Sequence, residues 1–504
     1  MPVAAVVHPP LQPDSTMIDT STPRTFGALL LAAAARWPDR EAVVFHPAQQ
    51  VDGRRTYAAL AAGAQERAHR LQQAGIRRGD HVALLLHNSP RCIEWLGALS
   101  LLDAVAVPLN PRYRAKELDF LLRDSAAVAL ISGEDATLAA LERIAVPAGA
   151  GGPAQSPAAL LMYTSGTTAD PKGCLVSHAT WLAAAQALAD NYALQASDRL
   201  WNPLPMCHMA ALHPFAACAT VGATFVSMTR FEPALALQQL VSEQIDVLYA
   251  AFPTILADLV NAPGFAAADL ARIRRINCVA PAGTLRTLQA ALPAARLTSV
   301  YGLTEAGGVV AYGRAEESLE IRTSTCGQPF AGIQLRIVDA VGAVLPTGHT
   351  GEIQLQGWCV FDGYWQQPAA TAAVLTAAGW LHTGDLGSLD SSGRLQFHGR
   401  LKDMLKVGGE NVSAAEVESV LARHPAVKLA QVVGMPDARL GEAAAAFVEL
   451  RPDTATTADE LIGHCRAHLA SFKVPRQVRF VTEWPMSATK IQKYQLREWL
   501  SVAP

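Results

Sequence analysis

GDHVALLLHNSPRCIEWLGALSLLDAVAVPLN, Gly79 to Asn110, decides the architecture. The apolar run from His81 to Leu86 has the length of a strand. Ser89 offers a hydroxyl to a helix N-terminus, Pro90 brings a preset φ to its first position, and a second apolar run completes the unit. Strand, helix, strand is the repeat of an α/β fold with parallel pairing. The alternation continues through VGATFVSM, QIDVLYAAF, RINCVA and ARLTSV, each an apolar run of strand length. Between Ile333 and Gly357 the pattern becomes alternating, as in IQLRIVDA and GEIQLQG, which predicts antiparallel strands with one wet face in a small β-barrel or separate sheet.

The style changes again after Gly399. Ser413 with Glu416, and Thr457 with Glu460, have the spacing of capping boxes. Val417, Val420 and Leu421 then share one helix face before His424 and Pro425. With short strands at Val427 to Val433, Ala446 to Leu450 and Val478 to Val481, this predicts a compact α+β domain of about a hundred residues. The boundary falls at Arg400 to Lys402. The stretch Val146 to Pro157, rich in Gly, Ala and Pro, reads as a surface linker.

A chain of 504 residues exceeds what one core usually supports. Half of it is apolar and the formal net charge is −3, so no basic footprint for nucleic acid exists. The eight cysteines are scattered without metal-ligand spacing and read as reduced, buried thiols. No apolar run is long enough to span a bilayer and the first residues lack a signal-peptide pattern, which predicts a cytoplasmic protein.

Tyr163 to Gly173, YTSGTTADPKG, follows the strand-like run AALLM. Its small residues let backbone N–H groups converge, Thr164, Ser165, Thr167 and Thr168 add hydroxyls, and Lys172 adds charge, which suits a polyphosphate. GxxxxGK followed by Ser or Thr is absent, which disfavours P-loop kinases and ATPases.

TSGTTADPKG resembles the signature of the adenylate-forming superfamily, which includes acyl-CoA synthetases, luciferases and peptide-synthetase adenylation domains. PMCHMAA (Pro205 to Ala211), YGLTE (Tyr301 to Glu305), GEIQLQG (from Gly351), LHTGD (Leu381 to Asp385) and GRLKDMLKVGGENVSAAEVE (from Gly399) follow in that superfamily's order. The resemblance runs from about Thr25 to Arg497 and is nearest to AMP-forming acyl-CoA synthetases. It implies a large N-terminal domain, residues 1–399, of two parallel-type α/β subdomains plus the small β-barrel. A hinge at 400–402 and a mobile α+β domain at 403–504 complete the expectation.

The resemblance also implies roles. Thr164, Ser165, Gly166, Thr167, Thr168 and Lys172 would hold the phosphates of ATP, and Tyr301, Gly302 and Thr304 would border the nucleotide. Asp385 and Arg400 would meet the ribose. Glu305 would hold Mg²⁺, a hard cation that takes one or two carboxylates and keeps water. On its own such a glutamate would more often be a solvated cap. His208 would lie beside the substrate carboxylate, with Ala210 and Ala211 leaving room for an acyl group; a lone histidine in that setting is otherwise an ordinary core residue. Lys402 would be the hinge residue. Gly408, Gly409 and Glu410 would line the path of the CoA pantetheine, while Phe472 and Lys473 would meet its nucleotide.

Attack of a carboxylate on the α-phosphate brings negative groups together, so a bridging cation lowers the barrier. In the superfamily this is a lysine near the C-terminus, which PMSATKIQKYQLR supplies as Lys490, with Lys493 as the fallback. Here Thr489 abuts Lys490 directly, one residue short of the superfamily's usual spacing, a change in reach of roughly 3.5 Å. The expected reaction joins a carboxylic acid to CoA at the expense of ATP, giving acyl-CoA, AMP and PPi. An adenylating enzyme that loads a carrier-protein thiol, and a non-catalytic nucleotide-binding paralogue, stay open beside it. The sequence discloses neither the acid nor the oligomeric state.

Overall fold

The computed structural model describes residues 23–46, 53–133, 137–140, 158–164, 171–407, 410–487 and 490–501. The linker expected at 146–157 lies outside them. In the deciding stretch, strands His81–Leu85 and Val105–Pro108 pair in parallel and flank helix Pro90–Leu101. Ser89 caps that helix, its Oγ accepting the Cys92 N–H at 3.3 Å.

Two seven-stranded sheets result. In the first, Arg296–Thr298, Arg275–Cys278, Val247–Ala251, Arg199–Trp201, Thr224–Met228 and Glu41–His46 run in parallel in that spatial order, and Arg54–Thr56 closes the edge antiparallel. The second is built on the parallel strands Ala158–Thr164, Val105–Pro108, His81–Leu85 and Ala129–Ser132. Antiparallel strands flank these on both sides. Helix Pro90–Leu101 touches strands of both sheets. Ten of its twelve residues are buried, among them Glu94, whose carboxylate pairs with Arg67 at 2.7 Å. Helices Phe26–Arg36, His178–Tyr192 and Met209–Val221 pack with it or with one another, and one continuous core joins the two sheets.

The alternating stretch forms a four-stranded antiparallel sheet, Ile333–Val338, Gly351–Gly357, Leu381–Leu389 and Leu395–Arg400 in spatial order. Among the described residues its ladder does not close on itself, so the separate sheet is found and not the barrel. A second core begins at Leu405 and centres on Val417, Leu421, Val432, Val448, Leu461 and Cys465. Thr457 and Glu460 form the complete reciprocal cap of helix Ala458–His468. Ser413 caps helix Ala414–Leu421, but Glu416 does not return to the cap. Its carboxylate takes the Lys473 ammonium instead, with both oxygens at 2.8 Å.

Helix Met209–Val221 carries Pro214 in its interior. A proline donates no N–H, so the Ala210 carbonyl one turn earlier is released from the ladder. Asn202 Nδ2 occupies it at 2.8 Å, while Asn202 Oδ1 accepts the Leu204 N–H at 2.8 Å. Asn88 grips the same loop, donating to the Leu204 carbonyl at 2.8 Å and accepting the Met206 N–H at 2.8 Å. The turn leading into His208 is thereby fixed from two sides.

All eight cysteines are buried and free. Burial raises each thiol, Cys92 and Cys207 to about 12, and leaves them protonated and inert. Among the described residues no helix is long and apolar enough to cross a membrane.

His178 and His213 are buried, and desolvation lowers each from 6.5 to about 4. Between those values the unfolded chain binds protons that the folded chain refuses, so stability is present above pH 6.5 and is lost as pH falls toward 4. Denaturant unfolding across that window should show this slope. His213→Gln, which does not titrate, should remove up to one proton from it.

Candidate active site

The tightest polar constellation joins three elements. Tyr301 lies in strand Val300–Leu303, Asp385 in strand Leu381–Leu389, and Arg400 ends strand Leu395–Arg400, directly opposite Asp385 in register. The Tyr301 hydroxyl donates to Asp385 Oδ2 at 2.8 Å, and Arg400 Nε lies 3.1 Å from Oδ1. Asp385 is 3 % exposed. Burial, then the neighbouring Asp385 carboxylate, pushes the Tyr301 hydroxyl far above its ordinary value, so it remains a donor. The sequence places Asp385 in a tight turn; it sits instead in a bulged strand, just after Gly384 at φ 68°. Gly302 follows Tyr301 where no side chain fits, since a Cβ there would lie 2.1 Å from the Gly308 carbonyl oxygen.

Beside this group lies a cavity of about 300 Å³ bordered by Leu303, Glu305, Glu352, Tyr364, His382 and Thr383 among others. Glu305 sits on a single 3₁₀ turn with Thr304, and its Oε1 accepts the Tyr364 hydroxyl at 3.0 Å. Lys172 Nζ stands 5.1 Å from the centre of the Tyr364 ring, a cation–π distance. Thr164 and Lys172 are cross-strand partners at the end of a hairpin, with the Thr164 hydroxyl 3.4 Å from the Lys172 carbonyl. The hairpin thus delivers the two flanks of the proposed phosphate loop to the Glu305 side of the cavity. Ser165, Gly166, Thr167 and Thr168 lie outside the described residues.

His208 occupies the N-cap of helix Met209–Val221 and is half-buried; its side chain makes no capping bond. Ala210 is half-buried, whereas Ala211 is fully enclosed in the main core. Lys402 lies on the 3₁₀ turn Leu401–Asp403 between the two cores. Burial, then the Arg400 charge, lowers its ammonium.

Glu410 is exposed on strand Glu410–Ser413. Phe472 borders a second cavity of about 280 Å³ together with Val407, Leu440, Arg439 and Arg476. Lys473 is held by Glu416, so its charge is already partnered. Gly408 and Gly409 lie outside the described residues. Lys490 falls in a two-residue strand paired with Met486–Ser487, and its side chain lies outside the description. Lys493, the fallback, is engaged with Glu418 at 2.7 Å and only 18 % exposed.

The family model of AMP-binding enzymes matches residues 30–365, and that of their C-terminal domain matches 416–490. The chain belongs to the AMP-binding enzymes. It is 35 % identical to a feruloyl-CoA synthase of Amycolatopsis, with 88 % of this chain and 93 % of that protein covered. It is 34 % identical to a long-chain fatty-acid CoA ligase of Mycobacterium tuberculosis, covering 89 % and 94 %. Among solved structures it resembles the o-succinylbenzoate CoA synthetase of Bacillus subtilis in complex with an acyl-adenylate, at 29 % identity and a TM-score of 0.80 over 94 % of this chain and 98 % of that one. Within the adenylate-forming superfamily, this AMP-binding enzyme is therefore of the acyl-CoA synthetase type.

Several residues of this AMP-binding enzyme's site escape a motif reading. Tyr364 joins Lys172 to Glu305 but belongs to no quoted motif, and Phe397 lies 6.0 Å from the Tyr301 ring. Glu352 and His382 stand inside quoted motifs, GEIQLQG and LHTGD, whose side chains carried no signal without the fold. Arg439 is brought to Phe472 only by tertiary packing, beside the nearby Arg476. Gly302→Ala should separate strands Val300–Leu303 and Gly308–Tyr312. An expected cost of about 1–3 kcal/mol should appear as a lower midpoint in thermal unfolding.

Proposed function

We propose that this enzyme is an ATP-dependent, AMP-forming acyl-CoA synthetase. The observation carrying this reading is the buried Asp385 carboxylate held between Tyr301 and Arg400, beside a cavity that also presents Glu305. A carboxylate accepting two hydroxyls suits a ribose diol, and Tyr301 and Arg400 keep it aimed. The solved relative bound to an acyl-adenylate supports the same intermediate.

In this reading a carboxylate oxygen of the acid attacks the α-phosphorus of ATP and the bond to pyrophosphate breaks. The thiolate of CoA then attacks the acyl carbon and AMP leaves. Lys172 and the hairpin loop neutralise the polyphosphate, His208 borders the acid, and Lys490 bridges the attacking carboxylate and the α-phosphate. Glu305 suits magnesium: it is anchored by Tyr364 through one oxygen, leaving the other for a cation that keeps several waters, whereas Glu352 on the same cavity is taken up by Gly384 and His382. When bound, the ion would supply charge neutralisation on the phosphates. The chain divides into an N-terminal domain at 1–399 and a C-terminal domain at 403–504. Rotation about Lys402 exchanges Lys490 for Glu410 and the CoA path, with Phe472 and Lys473 toward the CoA nucleotide.

Pyrophosphate release measured over a panel of acids, with and without CoA, tests the proposal. Acid-dependent release with acyl-CoA as product is expected; ATP binding without release from any acid would refute it. Lys490→Ala should lower adenylate formation by at least about 100-fold and leave thioester formation from supplied acyl-adenylate within a few-fold. Lys402→Pro should do the reverse, as quenched-flow separation of the two half-reactions would reveal.

A further inference from the structure

We propose that Glu352 is a positioning residue of the nucleotide site, whose carboxylate holds the bulge that turns Asp385 inward. The proposal rests on the reading of Asp385 as the ribose ligand.

Strands Gly351–Gly357 and Leu381–Leu389 pair Leu355 with Leu381 and Gln354 with His382, then resume with Glu352 opposite Leu386. Ile353 alone therefore faces three residues, Thr383, Gly384 and Asp385. A bulge of this kind leaves ladder groups unpaired and re-aims the side chain that follows it. Side chains take up those groups here. The Thr383 hydroxyl donates to the Ile353 carbonyl at 2.7 Å and accepts the Asp385 N–H at 3.1 Å. Glu352 Oε1 accepts the Gly384 N–H at 3.1 Å. Thr383 serves the bulge from within, whereas Glu352 ties it to the neighbouring strand.

The second oxygen of Glu352 is itself fixed. Its Oε2 lies 2.7 Å from His382 Nδ1, and the Gln354 amide lies 3.0 Å from the same ring nitrogen. Gln354 in turn accepts from Arg336 Nε at 2.8 Å. With 15 % of its side chain exposed, Glu352 borders the same cavity as Glu305 yet spends both oxygens on this frame. Gly384 stands at φ 68°, in the left-handed region that favours glycine. Its N–H donates to Glu352, which ties this left-handed turn to the neighbouring strand.

The test uses the full-length enzyme with an acid identified in the substrate panel. Glu352→Ala should raise KM for ATP about tenfold and leave KM for the acid and for CoA within about twofold. Glu352→Gln keeps an oxygen for Gly384 and should restore most of the ATP KM. Asp385→Ala separates the two ideas: an unchanged ATP KM there would remove the ribose reading itself. A raised KM in Asp385→Ala with an unchanged KM in Glu352→Ala would overturn positioning alone. Equal rises in all three KM values in Glu352→Ala, or failure of Glu352→Gln to restore ATP binding, would reduce Glu352 to a fold-stabilising residue.

Discussion

Withdrawing an ionised carboxylate from water costs several kcal/mol unless both of its oxygens find partners. Asp385 meets that demand with a phenol on one oxygen and a guanidinium near the other. Each partner comes from a separate element: Tyr301 from the small sheet that ends the first α/β half, Arg400 from the last strand before the second core. One buried carboxylate therefore ties together the large domain and the start of the connection to the small one.

Around that point the packing is layered. Two sheets share helices that are apolar on nearly every face, and this leaves little freedom to slide. The turn into His208 inherits that rigidity through Asn88 and Asn202, and the latter also repairs the hydrogen bond that Pro214 removes. The second core, by contrast, is small and self-contained. Lys402 stands next to Arg400, and desolvation together with that charge lowers its ammonium in this arrangement.

Much of this was readable in advance because it depends on local chemistry. Ser89 and Pro90 announce a helix start, Thr457 and Glu460 announce another, and apolar runs of strand length mark the parallel sheets. The site was readable as motifs, and the structure brings Tyr301, Asp385 and Arg400 into contact although 99 residues separate the first from the last. The failures arise where a side chain had two suitors. Glu416 has the spacing of a capping residue, yet the Lys473 ammonium outbids a backbone N–H, since charge-assisted bonds are the stronger. Lys493, the fallback beside Lys490, is engaged by Glu418. Tyr364 was invisible because its partners, Lys172 and Glu305, lie far away in the chain.

The distribution of sulfur has a practical meaning. Every thiol is shut away, and only Cys465 belongs to the second core; the others lie in the large domain. A water-soluble alkylating probe therefore finds no target on the intact surface and reacts only as the fold breathes. Mapping which cysteine is labelled first would then report which lobe opens first, with the protein's own sulfur atoms as the reporters.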